Sequence, residues 1–146
     1  KYDAEQVIIN SSANFCILRI AGIFGLNGPS HLGLNKTIAS AIRNEPPDLG
    51  KNLLGLRNYI YVKDVARVIK YVIDNRVTGT HLVAGNEKIT IRDMISKIYK
   101  KFYPEFIIKY KQHLLKSDQI IVHSKSIIKS RSFNQALDDI KNIISS

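Results

Sequence analysis

Apolar residues recur along this chain at two spacings, and the alternation between them outlines its elements. Val65, Val68, Ile69, Val72 and Ile73 fall at helical spacing, which turns one stripe of a helix toward a core. Just ahead of them Tyr59 to Val62 are β-branched or aromatic, as a short strand requires, and Asp64 is the residue type that caps a helix N-terminus. Strand and helix therefore join within two residues. Phe15 to Ala21 is a continuous apolar run broken only by Arg19, the pattern of a parallel strand covered on both faces. Leu34 to Asn44 reads as a helix with Leu34, Ile38, Ala41 and Ile42 inward, ended by Pro46-Pro47. Lys1 to Ala13 reads as the end of a helix, with Ala4, Val7 and Ile8 on one side. Gly79 to Gly85 predicts a strand between glycines, and Thr90 caps a helix from Ile91 to Phe102. Phe106 to Tyr110 predicts another strand and Asn134 to Ile144 a closing helix. Asp48 to Leu56, with two glycines, predicts a loop or short irregular strand.

Composition narrows the class. A chain of 146 residues, 45% of them apolar, is one domain's worth and can bury a core. It starts at lysine with no apolar targeting run behind it, so it reads as a piece of something longer. Its apolar stretches are far short of a membrane span. Cys16, the only cysteine, lies in an apolar run and is expected to be a buried, inert thiol. The four histidines are not at ligand spacing with one another or with Cys16, so no metal site and no Ser-His-Asp arrangement is expected. His81 reads as a strand residue. The net charge of +10 arises from 22 basic against 12 acidic residues, and from Glu87 to Arg131 there are eleven Lys or Arg against four Asp or Glu. Such a face could steer nucleotides or nucleic acid. The lysines are scattered, however, without interleaved aromatics or arginine clusters, which favours a solvated surface.

Two stretches carry candidate chemistry. Gly22, Gly25 and Gly28 follow a strand and imitate the dinucleotide-binding fingerprint, in which glycines let backbone approach a pyrophosphate. Pro29 and Gly33 delay the helix, and the second strand ending in an acid is replaced by Glu45-Pro46-Pro47-Asp48, so the run is read as an imitation. Arg57, just before the Tyr59 strand, offers a planar fork suited to a carboxylate or phosphate; the plain alternative is a surface arginine.

Arg57-Asn58-Tyr59-Ile60-Tyr61-Val62-Lys63-Asp64-Val65-Ala66 resembles the Arg-Asp-Phe-Ile-Tyr-Val-x-Asp-Val-Ala block of the extended short-chain dehydrogenase/reductase family, the NAD-dependent nucleotide-sugar epimerases and dehydratases. Asn58 and Lys63 depart from it. The resemblance implies that Arg57 contacts substrate phosphate. Leu18 to Gly25 is similar to the Leu-Arg-Pro-x-x-Val-Tyr-Gly block that closes over the nicotinamide end of the cofactor, which implies cofactor contacts for Ile20, Gly22 and Ile23. Ile20 replaces the usual proline, and Gly22 stands where many such enzymes have an asparagine that contacts substrate. Lys1 to Glu5 is similar to the lysine that ends the family's Tyr-x-x-x-Lys pair and the few residues after it, so Lys1 is implied to be the catalytic, cofactor-contacting lysine, with its tyrosine four residues upstream. Residues at that spacing share a helix face. A lysine cation there lowers the tyrosine pKa, so that it can take a proton from a sugar hydroxyl during hydride transfer. Where the family often shows Arg-x-Gly-Asp, this chain has Leu115-Lys116-Ser117-Asp118, leaving Lys116 or Lys111 as point charges in place of the second arginine.

The resemblance implies an α/β fold: the C-terminal part of a Rossmann-like doubly wound sheet plus a small mixed α/β substrate-binding lobe. Residues 1–146 would form a single C-terminal fragment, with the N-terminal dinucleotide-binding part absent and the isolated chain inactive. The parent would be a cytoplasmic enzyme using NAD or NADP on a nucleotide-sugar or related phosphorylated sugar, with a homodimer of the parent among the expected assemblies. Two other readings stay open: a regulatory or scaffold protein of the same fold that binds NAD(P) without turnover, and a basic nucleic-acid-binding module.

Overall fold

The computed structural model describes residues 2–110 and 115–146. In chain order its elements are α1 (Tyr2–Ile9), β1 (Cys16–Ile20), β2 (Ile23–Phe24), α2 (Gly33–Ile42), β3 (Leu56–Arg57), β4 (Ile60–Tyr61), α3 (Val62–Asp74), β5 (Gly79–Val83), β6 (Ile89–Thr90), α4 (Ile91–Phe102) and α5 (Phe133–Ile144). The apolar run at β1 pairs in parallel with β5, from Cys16 opposite Gly79 to Ile20 opposite Val83. β2 and β4 form a second parallel pair, and β3 lies antiparallel to β6. A parallel pair with a helix in the connection between its strands, here β2 and β4 with α2 between them, is the signature of an α/β fold.

Two hydrophobic clusters divide the interior. One gathers Leu34, Ile38 and Ala41 of α2, Met94, Ile95, Ile98 and Tyr99 of α4, and Leu137 and Ile140 of α5 around Phe24 and Tyr61. The other sets Val65, Val68 and Val72 of α3 against Ile60, Val83 and Ile127. Ile69 and Ile73 belong to the same sequence stripe as those valines, yet they are 45% and 69% exposed, so the apolar face of α3 is wider than the surface it packs on. The side of α1 bearing Val7 and Ile8 is likewise exposed. Glu5 of α1 takes the guanidinium of Arg19, with Nε at 3.0 Å and Nη2 at 2.5 Å, which explains how a charge is tolerated in β1.

Three expectations are corrected. Asp64 does not cap α3: the cap position is Tyr61, which makes no side-chain cap bond, and Val62 already belongs to the helix, shortening the strand to Ile60–Tyr61. Asp64 instead sits in the first turn, only 1% exposed. Its carboxylate accepts hydrogen bonds from the Arg131 backbone N–H, Arg131 Nε and Arg67 Nη1, each at 3.0 Å. Phe106 to Tyr110 forms no strand; Phe106, Ile108 and Tyr110 turn alternately inward onto the first cluster, but among the described residues no strand pairs with them. Arg57 lies within a short strand rather than ahead of one. Helix α1 ends at Ile9, short of Ala13, whereas α2, α4 and α5 match their sequence signals, with Thr90 capping α4 and a Ser132–Gln135 capping box opening α5.

The segment 115–132 joins these parts through polar pairing. Leu56 N–H donates to Asp118 Oδ1 (2.8 Å) and Gln119 N–H to the Leu56 carbonyl (3.0 Å). Further along, Ala84 N–H donates to His123 Nδ1 (3.1 Å), Leu82 N–H to Ser124 Oγ (2.9 Å) and Asn86 N–H to Ser130 Oγ (3.1 Å). Arg131 then meets Asp64. Among the described residues no helix is long and apolar enough to cross a membrane.

Asp64→Ala would strand the partly buried Arg131 and its backbone N–H, and should cost about 3–5 kcal/mol, read as a lowered urea midpoint. Tyr99, buried in α4, donates its hydroxyl to the Glu45 carbonyl at 2.7 Å; burial, and then the charge of Glu45, push its pKa up to about 12. A phenol whose folded pKa is raised contributes stability that is complete below the unfolded value of about 10. That contribution is lost as pH rises through about 12. Denaturation midpoints across this range should therefore fall less steeply for Tyr99→Phe than for the parent sequence.

Candidate functional site

Residues 58–60 cross the C-terminal ends of β1 and β5. Ile60 N–H donates to the Gly22 carbonyl (2.9 Å) and Gly85 N–H to the Asn58 carbonyl (3.1 Å). A Cβ at Gly85 would lie 2.2 Å from the Tyr59 carbonyl oxygen, so only glycine admits this crossing. The carboxyl ends of parallel strands are where open α/β sheets hold ligands. There a cleft of about 170 Å³ is lined by Ala21, Gly22, Arg57, Asn58, Tyr59, Gln119 and Ile121.

Arg57 is oriented from one end of its fork. Its Nη1 donates to the carbonyls of Leu56 (2.8 Å) and Ser117 (2.7 Å), while Nε and Nη2 make no hydrogen bond among the described residues. The half-buried side chain thus brings a fixed positive charge to the cleft with donors to spare, the arrangement that binds phosphate or carboxylate oxygens. Asn58 is 6% exposed and spends its whole amide on Ile121: Nδ2 donates to the carbonyl at 2.6 Å and Oδ1 accepts the N–H at 3.1 Å. An aspartate could accept from the Ile121 N–H but would face its carbonyl oxygen with a second acceptor, which accounts physically for the departure at this position.

The structure brings Gly22 and Arg57 into one cleft. Ile20 and Ile23 lie beside it, half-buried against the Val65 cluster, with Ile23 paired to Ile60. Lys1 and Lys111 lie outside the described residues. Lys116 is exposed and does not line the cleft. Gln119, Ile121 and Tyr59 are site residues that the sequence reading missed. Gln119 and Ile121 reach the cleft through contacts with Leu56 and Asn58, more than sixty positions distant, for which the sequence carries no spacing signal.

The glycine run forms no cradle. A Cβ at Gly22 would meet the Tyr59 ring at 2.3 Å, at Gly25 the Val62 side chain at 2.6 Å, and at Gly28 the Asn35 amide at 2.4 Å. Each glycine makes room for a side chain of the protein itself, and α2 begins only at Gly33.

A second polar cluster is structural. Asp139 accepts from the Tyr61 hydroxyl (2.7 Å), pairs with Lys63 (2.8 Å) and lies 3.6 Å from Arg131, whose guanidinium stands 5.1 Å from the Tyr61 ring centroid. Hydrogen bonds from Lys63 and then Tyr61 hold the Asp139 carboxyl below the usual range, whereas burial, with Asp139 beside it, pushes the Tyr61 phenol well up. Tyr61 is thereby kept protonated, and Lys63, a departure from the family block, acquires an ion-pair role. Cys16 is half-buried, and burial raises its thiol pKa, as an inert thiol requires. His81 hydrogen-bonds the Thr78 carbonyl and Ser126 Oγ, with no acid at hand. No cluster of metal-ligating side chains occurs among the described residues.

The family described as NAD dependent epimerase/dehydratase matches residues 1–85, more than half of the sequence. The chain belongs to that family. Among solved structures similar to it are the UDP-N-acetylglucosamine 4-epimerase of Bacillus cereus, at 20% identity and TM-score 0.78 over 99% of this chain and 50% of that one. A UDP-glucuronic acid 4-epimerase mutant of Bacillus cereus, in complex with a UDP-4-deoxy-4-fluoro-glucuronic acid and NAD, gives 17% and 0.77 over 99% and 49%. The dTDP-glucose 4,6-dehydratase of Bacillus anthracis, in complex with NAD, gives 14% and 0.66 over 89% and 44%. No curated protein matches. These likenesses establish a Rossmann-like α/β fold, and this epimerase/dehydratase-family chain spans about half the length of the structures it resembles.

Asn58→Asp should leave the Ile121 carbonyl unpaired and cost about 1–3 kcal/mol. Hydrogen exchange should report it locally, as faster exchange at the Gln119 and Ile121 amides while α4 and α5 remain protected.

Proposed function

We propose that residues 1–146 are the C-terminal, substrate-binding portion of an NAD(P)-dependent enzyme that epimerises, dehydrates or reduces a sugar nucleotide, the dinucleotide-binding part lying outside them. The observation that carries this reading is the Arg57 guanidinium, fixed at Nη1 and facing a cleft at the carboxyl ends of parallel strands. A nucleoside diphosphate sugar presents two phosphates, and a planar fork holds such oxygens two at a time. The named neighbours are enzymes of UDP-linked or dTDP-linked sugars, and several carry NAD.

The residues fit a nicotinamide at the end of β1. Ile20 and Ile23, half-buried aliphatic residues flanking Gly22 and next to the Arg57 cleft, are the groups it would meet. NAD(P) bound at that place would supply reversible acceptance of a hydride from a sugar carbon. This chain's own residues do the rest: Arg57 anchors the diphosphate, Ile20 and Ile23 exclude water from the reacting face, and Lys1, by its likeness to the family's Tyr-x-x-x-Lys lysine, stabilises the tyrosinate that takes the hydroxyl proton.

The test is calorimetric titration of the chain with UDP. The parent sequence should bind it, and Arg57→Ala should weaken binding about ten- to hundredfold while leaving the circular dichroism spectrum unchanged. Equal affinity in the two proteins would remove the diphosphate from this site.

A further inference from the structure

Beyond the arginine, the cleft contains one polar group whose position depends on the absence of a side chain. The Tyr59 ring rests against Gly22: a Cβ there would lie 2.3 Å from Cε1, 2.5 Å from Cδ1 and 3.5 Å from Cζ. The ring can occupy this place only because residue 22 is glycine. Tyr59 lines the Arg57 cleft, a mainly apolar cavity of about 210 Å³ with Leu53, Ile91, Met94 and Ile95 in its wall, and a small pocket beside Phe24 and Arg131. Its hydroxyl makes no hydrogen bond among the described residues, unlike those of Tyr61 and Tyr99, which are tied to Asp139 and to the Glu45 carbonyl.

An inventory of the cleft leaves few polar groups for a ligand. The Asn58 amide is buried and turned to Ile121, with both its nitrogen and its oxygen bonded there. Arg57 carries the positive charge, and Gln119 and the Tyr59 hydroxyl are the uncharged side-chain groups that remain. A phenol both donates and accepts, as a sugar hydroxyl does, and it is held on a ring with few rotatable bonds.

We propose that the Tyr59 hydroxyl, admitted by Gly22, is the group that recognises the sugar moiety of the ligand, while Arg57 holds its diphosphate. The inference rests on the sugar-nucleotide reading and adds to it a specificity-determining pair. It divides affinity into two parts, one that UDP alone reports and one that only the attached sugar reports.

Calorimetric titration of the chain with UDP, UDP-glucose, UDP-N-acetylglucosamine and UDP-glucuronic acid separates them. The parent sequence should bind at least one UDP-sugar more tightly than UDP. Tyr59→Phe, which keeps the ring against Gly22, should weaken that UDP-sugar about three- to tenfold and leave UDP within twofold. Gly22→Ala, which displaces the ring, should abolish the same preference; if that variant does not fold, Tyr59→Phe alone decides. An unchanged preference in Tyr59→Phe, an equal loss for UDP and UDP-sugar, or a parent chain that binds UDP but gains nothing from any of the sugars would overturn the inference and leave the diphosphate site standing. A parent chain that binds neither UDP nor any UDP-sugar would overturn the sugar-nucleotide reading and this inference with it.

Discussion

A buried amide and a buried carboxylate, six residues apart, hold the molecule together across its whole length. Asn58 grips the backbone of Ile121, and Asp64 grips the backbone and side chain of Arg131. Both are largely removed from water, so each would be costly if left unpaired, and each finds its partner more than sixty positions along the chain. Between these clamps the segment 115–132 is laid along β3 and β5, and its carbonyl at Ser117 is what turns the Arg57 guanidinium. The cleft is therefore a product of polar pairing at long range, set beside two hydrophobic clusters whose helices form from local pattern but whose packing also spans most of the chain.

That division explains what could be read from the sequence. Helical spacing of apolar residues, the continuous apolar run of β1, the glycines that bound β5 and the threonine ahead of α4 were legible because each is written in neighbours a few residues away. Arg57 and Gly22 were singled out through likeness to two family blocks, one for substrate phosphate and one for cofactor; that they line one cleft appears only in the fold. The partners of Asn58 were not, since no spacing announces which carbonyl an amide will meet sixty residues later. Asp64 shows how one residue type can answer two needs: a carboxylate near a helix start is favourable as a cap and also within the first turn. Only the position of Arg131 decides between them. Phe106 to Tyr110 kept its inward and outward alternation without becoming a strand, because alternation reflects burial and a ladder requires a partner.

The glycines show the same dependence on context. In sequence, Gly22, Gly25 and Gly28 imitate a phosphate cradle; in the fold each accommodates an internal side chain. A glycine records that something approaches closely, and the pattern alone does not say whether it is a ligand or the protein itself. At Gly22 the visitor is Tyr59, and the cleft wall that results differs in shape and chemistry from one carrying an amide side chain.

The clamping of Arg57 by Ser117 has a consequence for the order in which the cleft matures during synthesis. The arginine leaves the ribosome about sixty residues before the carbonyl that aims it. Helices α2 and α3 can form on the nascent chain from local contacts, yet the guanidinium stays unaimed until the stretch through Arg131 has emerged and closed its long loops, steps that carry the entropy of high contact order. The aiming of Arg57 is thus among the later features of the cleft to form, and a translation product halted before residue 117 would carry the guanidinium without the carbonyl that orients it.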